Sequence, residues 1–102
     1  MPVFTIRRDV PGLTREDVDA ASFRAISCAM EYPEMRWRES YWDAAAGMIT
    51  CVYEARSSAD IFEHARRARI PCDDVREVLP FGPGDYVEAG VSLTAAPNEV
   101  RA

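Results

Sequence analysis

The chain has 102 residues, of which 48% are hydrophobic and 28% are charged, so a single globular domain is expected. Its formal net charge of -5 and pI of about 4.8 disfavour non-specific binding to nucleic acid or to an anionic membrane. All 12 basic residues are arginine, which excludes Schiff-base chemistry on lysine. No apolar run reaches the roughly 20 residues that span a bilayer. We therefore expect a cytoplasmic protein without nucleic-acid or membrane partners.

The first half of the chain predicts a strand, a helix and a strand. Apolar and polar residues alternate within Met1–Asp9, as in a half-buried strand. Thr14 followed by Asp17 predicts a helix N-cap with an acidic residue at the third position, and this helix should end near Glu31. Met35–Asp43 predicts the second strand. The helix has an apolar stripe made of Val18, Ala21, Ala25, Ile26 and Ala29.

The second half repeats this order. Met48–Glu54 predicts a third strand, joined to the second by a short turn at Ala44–Gly47. Ser57 with Asp60 predicts the N-cap of a second helix, which Ile70-Pro71 closes. A fourth strand is predicted over Val75–Phe81. Inward-facing residues of the second helix are Ile61, Ala65 and Ala68.

The order β-α-β-β-α-β is that of the ferredoxin-like α+β fold, with two helices on one face of a four-stranded antiparallel sheet. The other face would be left bare, and the predicted strands are rich in Trp, Tyr and Ile. We therefore expect a homodimer that packs open sheet face against open sheet face. The domain should cover residues 1–81. Residues 82–102 form a C-terminal extension, in which Tyr86–Val91 could add a fifth strand and the last ten residues look disordered.

The residues of the second predicted strand indicate an acid/base site. Side chains at i and i+2 share a face of a strand, so Trp37, Glu39 and Tyr41 are expected to point the same way. A carboxyl group between aromatic rings is partly desolvated, which would favour acid/base work by Glu39. Tyr41 would donate a hydrogen bond to an oxyanion and Arg7 would orient an anionic group. The alternative is that Glu39 pairs with an arginine while the rings seal a dimer interface.

Several segments resemble a small bacterial family of unknown function, whose best-described type is a nickel-binding protein with a dimeric ferredoxin-like fold. The resemblance runs from about Val3 to Val78. It implies divalent-metal binding, with Ni²⁺ as the expected cofactor and no organic cofactor. The segments that carry it are RDVPGLT (8–14), RWRESY (36–41), CVYEA (51–55), EHARRARIP (63–71) and DDVREV (73–78).

If a metal binds, the histidine and cysteines are the first candidates as ligands. His64 is the only histidine, and nickel favours imidazole and accepts thiolate or carboxylate ligands. Cys72 or Cys51 would then be the co-ligand. Helical spacing places His64 at the edge of the apolar stripe, one turn after Asp60. The alternative to a metal ligand is a histidine on the helix surface that pairs with Asp60. The three cysteines, Cys28 included, match no CxxC or zinc-knuckle spacing and are expected to be free thiols.

Three classes of function stay open at this point. The first is a small homodimeric nickel-type metal-binding protein. The second is a cofactor-independent isomerase or cyclase that binds a small molecule near Glu39. The third is an interaction module without a pocket.

Overall fold

The structure is a computed structural model that describes residues 1–87. Its elements follow the predicted order, β-α-β-β-α-β. They are β1 (Val3–Asp9), α1 (Arg15–Ala29), β2 (Arg36–Asp43), β3 (Met48–Glu54), α2 (Ser58–Ala68) and β4 (Asp74–Val78), followed by a short 3₁₀ turn at Pro83–Asp85.

The strands form one four-stranded sheet in the order β2-β3-β1-β4, and every neighbouring pair is antiparallel. The ferredoxin-like α+β prediction is therefore confirmed. The two strands that each helix joins are not neighbours in the sheet, so each helix crosses over the strand that lies between them. The fourth strand ends at Val78, earlier than the predicted Phe81.

Both helices begin at the predicted N-caps. The Asp17 backbone N–H donates to the Thr14 hydroxyl at 3.1 Å, and the Thr14 N–H donates to the Asp17 carboxylate at 3.1 Å. These bonds to Thr14 lower the pKa of the Asp17 carboxyl group. In α2 the Asp60 N–H donates to the Ser57 hydroxyl at 3.3 Å. Each cap satisfies amide donors that the first turn leaves free.

The core lies between the sheet and α2. From the sheet it contains Phe4, Ile6, Cys51 and Tyr53, and from α2 it contains Ile61. Alternate residues of β1 and β3 supply it, as the period of a half-buried strand requires. By contrast α1 buries only Ala25 among its residues, so this helix is packed less tightly than α2.

A β-bulge in β2 reverses the expected alternation. Trp37 pairs with Tyr53, but Glu39 pairs with Val52, and Arg38 is the additional residue between them. Trp37 therefore faces the helices with Tyr53, whereas Glu39 lies on the open face with Val52. The prediction that Trp37, Glu39 and Tyr41 share one face is wrong, because that reasoning assumed an unbroken period of two.

The open face is consequently more polar than expected. Its positions include Thr5, Arg7, Glu39, Tyr41, Thr50, Val52, Asp74 and Arg76. The tryptophans and isoleucines that motivated a face-to-face homodimer lie on the helix side instead. The homodimer stays a prediction, and its original hydrophobic argument no longer supports it.

After β4 the chain makes the 3₁₀ turn at Pro83–Asp85, which Tyr86 closes. The predicted fifth strand begins at Tyr86, which is not in a strand, and residues 88–91 of it lie outside the described part of the chain, as do the last ten residues. Within residues 1–87, neither helix combines the length and the apolar character that crossing a membrane requires.

Candidate functional site

A cleft of about 690 Å³ lies between α1 and the helix-facing side of the sheet. The side of α1 that borders it carries small residues, among them Ala21, Ser22 and Ala25. The largest apolar residue of this helix, Phe23, is 73% exposed, and Met30 at its C-cap is 83% exposed. Because small side chains cannot fill the space beneath the helix, the cleft stays open. Ile26, predicted to lie on the inner stripe, is 51% exposed.

The floor of the cleft contains a buried arginine. Arg8 follows Phe4 and Ile6 on the helix-facing side of β1 and is only 4% exposed. Its Nε donates to the Cys51 sulfur at 3.3 Å, and its Nη1 donates to the Pro71 carbonyl oxygen. Within residues 1–87, Arg8 forms no salt bridge with any carboxylate. A buried charge without a counter-ion is costly, so this position is unusual.

A chain of hydrogen bonds leads from Arg8 along the floor. The Cys51 sulfur also accepts from the Ser40 hydroxyl at 2.9 Å, and the Trp37 indole N–H donates to the Ser40 oxygen at 2.8 Å. Trp37 stacks on Tyr53, with ring centroids 6.4 Å apart and planes 12° apart. Burial raises the pKa of Tyr53 to about 12, although the nearby Arg8 opposes this shift. The floor therefore combines aromatic surface with a single cation.

His64 is a core residue and not a surface residue. It is 1% exposed, and its Nε2 lies 2.8 Å from the carbonyl oxygen of Ala25 in α1. Since a carbonyl only accepts, Nε2 carries the proton. The ring packs against Tyr32 and Tyr53 at centroid distances of 6.0 and 5.6 Å. Burial is the main cause that lowers the His64 pKa, so the imidazole is neutral at pH 7.

The predicted pair between Asp60 and His64 does not form. The Asp60 carboxylate instead lies 3.1 Å from the guanidinium of Arg56, four residues before it. His64 is buried with Ile61 and Ala68, and its Nε2 bonds the Ala25 carbonyl oxygen instead of a carboxylate. The placement of His64 at the edge of the stripe was therefore wrong.

All three cysteines are free, as expected. Cys51 is buried in the core, whereas Cys72 follows α2, packs against the core and keeps part of its surface exposed. Burial is the main cause that raises the pKa of the Cys72 thiol. The part of the chain that the structure describes contains no cluster of three or more His, Cys, Asp or Glu side chains able to hold a metal ion. The role of His64, Cys51 and Cys72 as nickel ligands stays a prediction.

The residues of the predicted acid/base site lie on the open face. Glu39 and Tyr41 are both exposed, and the Tyr41 hydroxyl donates to the Glu39 carboxylate. This bond raises the Tyr41 pKa. Arg7 pairs with Asp9 at 3.5 Å. Glu39 borders a shallow notch of about 410 Å³, but no aromatic ring from Trp37 desolvates it. The acid/base role of Glu39, Tyr41 and Arg7 stays a prediction without its original physical basis.

Sequence reasoning missed Arg8, although a signal for it was present. Phe4, Ile6 and Arg8 are alternate residues of β1 and share one face of the strand. The strand pattern therefore places Arg8 on the same side as the core. Ser40 and Trp42 were not predicted to share a face with Trp37, and they do so because the bulge shifts the register between Trp37 and Glu39. No local pattern in the sequence marks that bulge.

Comparison with known proteins agrees with this fold. The family described as "Nickel responsive protein SCO4226-like" matches residues 4–78, and the chain belongs to this family. Among solved structures it is similar to the crystal structure of SCO4226 from Streptomyces coelicolor A3(2), with a TM-score of 0.72 and 20% sequence identity. That match covers 78% of this chain and 99% of the other. No curated protein matches the chain.

Proposed function

We propose that this protein binds Ni²⁺ as a homodimer, at a site that two copies of the chain complete. The observation that carries the proposal is membership of a family described as nickel responsive, across residues 4–78. The expectation from the sequence points in the same direction, because the resemblance noted there also implies divalent-metal binding.

The supply of donor atoms supports the need for two copies. The whole sequence has one histidine and three cysteines, and all four lie within the described residues. The His64 Nε2 is occupied by the Ala25 carbonyl, and Cys51 is buried. Cys72 is the partly exposed member of the three predicted ligands, and exposed carboxylates are the other donors. Within residues 1–87 no three of these donors lie together, so in the proposed site a second copy supplies the remaining ligands.

The surface next to the open face supports a dimer. Leu79 is 90% and Phe81 79% exposed, and both border the notch that contains Glu39. Tyr41, on the same face, is 60% exposed. Exposed large apolar side chains that lie together mark contact surfaces. In a two-fold dimer the same patch is used by both copies, so this patch would replace the tryptophan-rich interface expected from the sequence.

The test is a calorimetric titration of Ni²⁺ into protein without a histidine tag, combined with light scattering. A double substitution, Leu79→Ser with Phe81→Ser, should yield a monomer and weaken Ni²⁺ binding at least about tenfold. Phe23→Ser is the matched control, because Phe23 is 73% exposed on α1 and outside the proposed interface. It should retain both properties. Undiminished Ni²⁺ binding by a monomeric variant would contradict the dimer-completed site.

The ligand role of each predicted residue can be separated in the same titration. Cys72→Ser should weaken Ni²⁺ binding if its thiolate is a ligand, whereas Cys28→Ser, another half-buried cysteine, should not. His64→Gln keeps an N–H for the Ala25 carbonyl and should leave the affinity unchanged. A loss of binding in His64→Gln would return His64 to the metal site.

A further inference from the structure

We propose that the cleft beneath α1 is a binding site for a small carboxylate with a flat apolar body, whose charged group pairs with Arg8. This site is separate from the proposed nickel site, because it uses the helix side of the sheet and needs one chain. Neither proposal depends on the other.

The charge of the ligand follows from Arg8. Arg8 is buried, with 4% of the residue exposed, and the partners of its guanidinium are a sulfur and a carbonyl oxygen. No carboxylate of residues 1–87 lies within salt-bridge distance of it. A carboxylate in the cleft would supply the missing counter-charge through charge-assisted hydrogen bonds. Three other arginines border the cleft, but they are less buried than Arg8. Arg15 pairs with Asp19 at 2.9 Å, Arg24 donates to the Ala68 carbonyl oxygen at 2.8 Å, and Arg69 is exposed. Arg8 is therefore the buried cation that a single carboxylate would meet at the floor.

The shape and chemistry of the walls define the rest of the ligand. Trp37 stacked on Tyr53 offers a broad aromatic surface, Trp42 borders the same space, and Ala21 and Ala25 form the opposite wall. The volume of about 690 Å³ lies within the ~300–1,000 Å³ of typical small-molecule sites, which are mostly apolar with a few placed polar groups. A flat ring with one carboxylate fits this combination.

The probe is 4-methylbenzoate, with 4-methylbenzyl alcohol as its uncharged counterpart and inorganic phosphate as a small anion without an apolar body. Binding is measured by calorimetry and by tryptophan fluorescence. The sequence has two tryptophans, and both Trp37 and Trp42 border the cleft, so the fluorescence reports on this site. We expect saturable binding of the benzoate, at least about tenfold weaker binding of the alcohol, and no competition by phosphate.

Substitutions separate the two parts of the proposal. Arg8→Met keeps the length of the side chain and removes its charge, so benzoate affinity should fall to that of the alcohol. Ser22→Leu fills the cleft from α1 without changing Arg8 and should weaken both ligands. Ser27→Leu makes the same change on an exposed part of α1 and should weaken neither. If Arg8→Met does not fold, the comparison of Ser22→Leu with Ser27→Leu tests the site on its own.

Three results would overturn the proposal. The first is an absence of saturable benzoate binding at millimolar concentration. The second is equal loss, or no loss, of affinity in Ser22→Leu and Ser27→Leu. The third is displacement of the benzoate by phosphate, which would indicate a site for small inorganic anions instead.

Discussion

Two buried polar side chains, Arg8 and His64, distinguish the interior of this protein at the scale of single residues. His64 connects the helices, because its Nε2 bonds the Ala25 carbonyl of α1 from within α2. The imidazole ring also packs against the rings of Tyr32 and Tyr53. A carbonyl in mid-helix gains a second hydrogen bond in this way, so the imidazole works as a structural group in the folded chain.

The buried imidazole predicts an acid-sensitive stability. Burial lowers the His64 pKa below its unfolded value of about 6.5. Between these two pKa values the unfolded chain binds a proton that the folded chain does not, so the free energy of unfolding falls as the pH drops below about 6.5. Denaturant unfolding at pH 7.5, 6.5 and 5.5 measures this effect.

His64→Gln is the control for that measurement. It removes the only imidazole of the chain while retaining an N–H for the Ala25 carbonyl. The variant should show a flatter dependence over the same pH range. Equal pH dependence in both proteins would show that His64 does not titrate on unfolding.

At the scale of secondary-structure elements, the sequence predicted both helix starts and the order of the elements, but it extended β4 to Phe81 instead of Val78 and missed the bulge in β2. Thr14 with Asp17, and Ser57 with Asp60, located both helix starts because these side chains satisfy local amide donors. The alternation of β1 and β3 was equally local. The bulge at Arg38 depends on the register between β2 and β3. The sequence of β2 alone does not predict this register. Arg38 alone moved Trp37 away from Glu39.

The turn between β2 and β3 depends on Gly47 in a way that can be measured. Gly47 has a φ of 68°, and a Cβ at this position would lie 2.8 Å from the Pro11 Cα. Its carbonyl also accepts from the Val10 N–H at 2.7 Å. Gly47→Ala should therefore destabilise the fold by more than the ~1–2 kcal/mol of left-handed backbone strain alone.

Gly12→Ala provides the comparison. Gly12 has a similar φ of 74°, but a Cβ there would meet nothing within 4 Å. It should cost only the backbone strain, so Gly47→Ala should be the more destabilising of the two in thermal or denaturant unfolding. Equal effects of the two substitutions would mean that the contact with Pro11 relaxes freely.

At the scale of the whole molecule, the ferredoxin-like fold was predictable because the order of elements permits few topologies. The cleft was less predictable. It exists because α1 presents small residues such as Ala21 and Ala25 to the sheet, whereas its largest apolar residue, Phe23, is exposed. The predicted apolar stripe did not show whether the space beneath the helix would be filled. The open face was predicted to be rich in aromatic residues, but the bulge in β2 places Trp37 on the helix side. The argument for a dimer therefore depends on the exposed side chains of Leu79 and Phe81.

Native mass spectrometry of the tag-free protein with added Ni²⁺ tests the central claim most directly, because it resolves metal bound to the monomer from metal bound to the dimer. If two copies complete the site, Ni²⁺ should appear on the dimer and be absent from the monomer in the same spectrum. Equal Ni²⁺ occupancy of the two species, or no bound Ni²⁺ on either, would contradict the proposal.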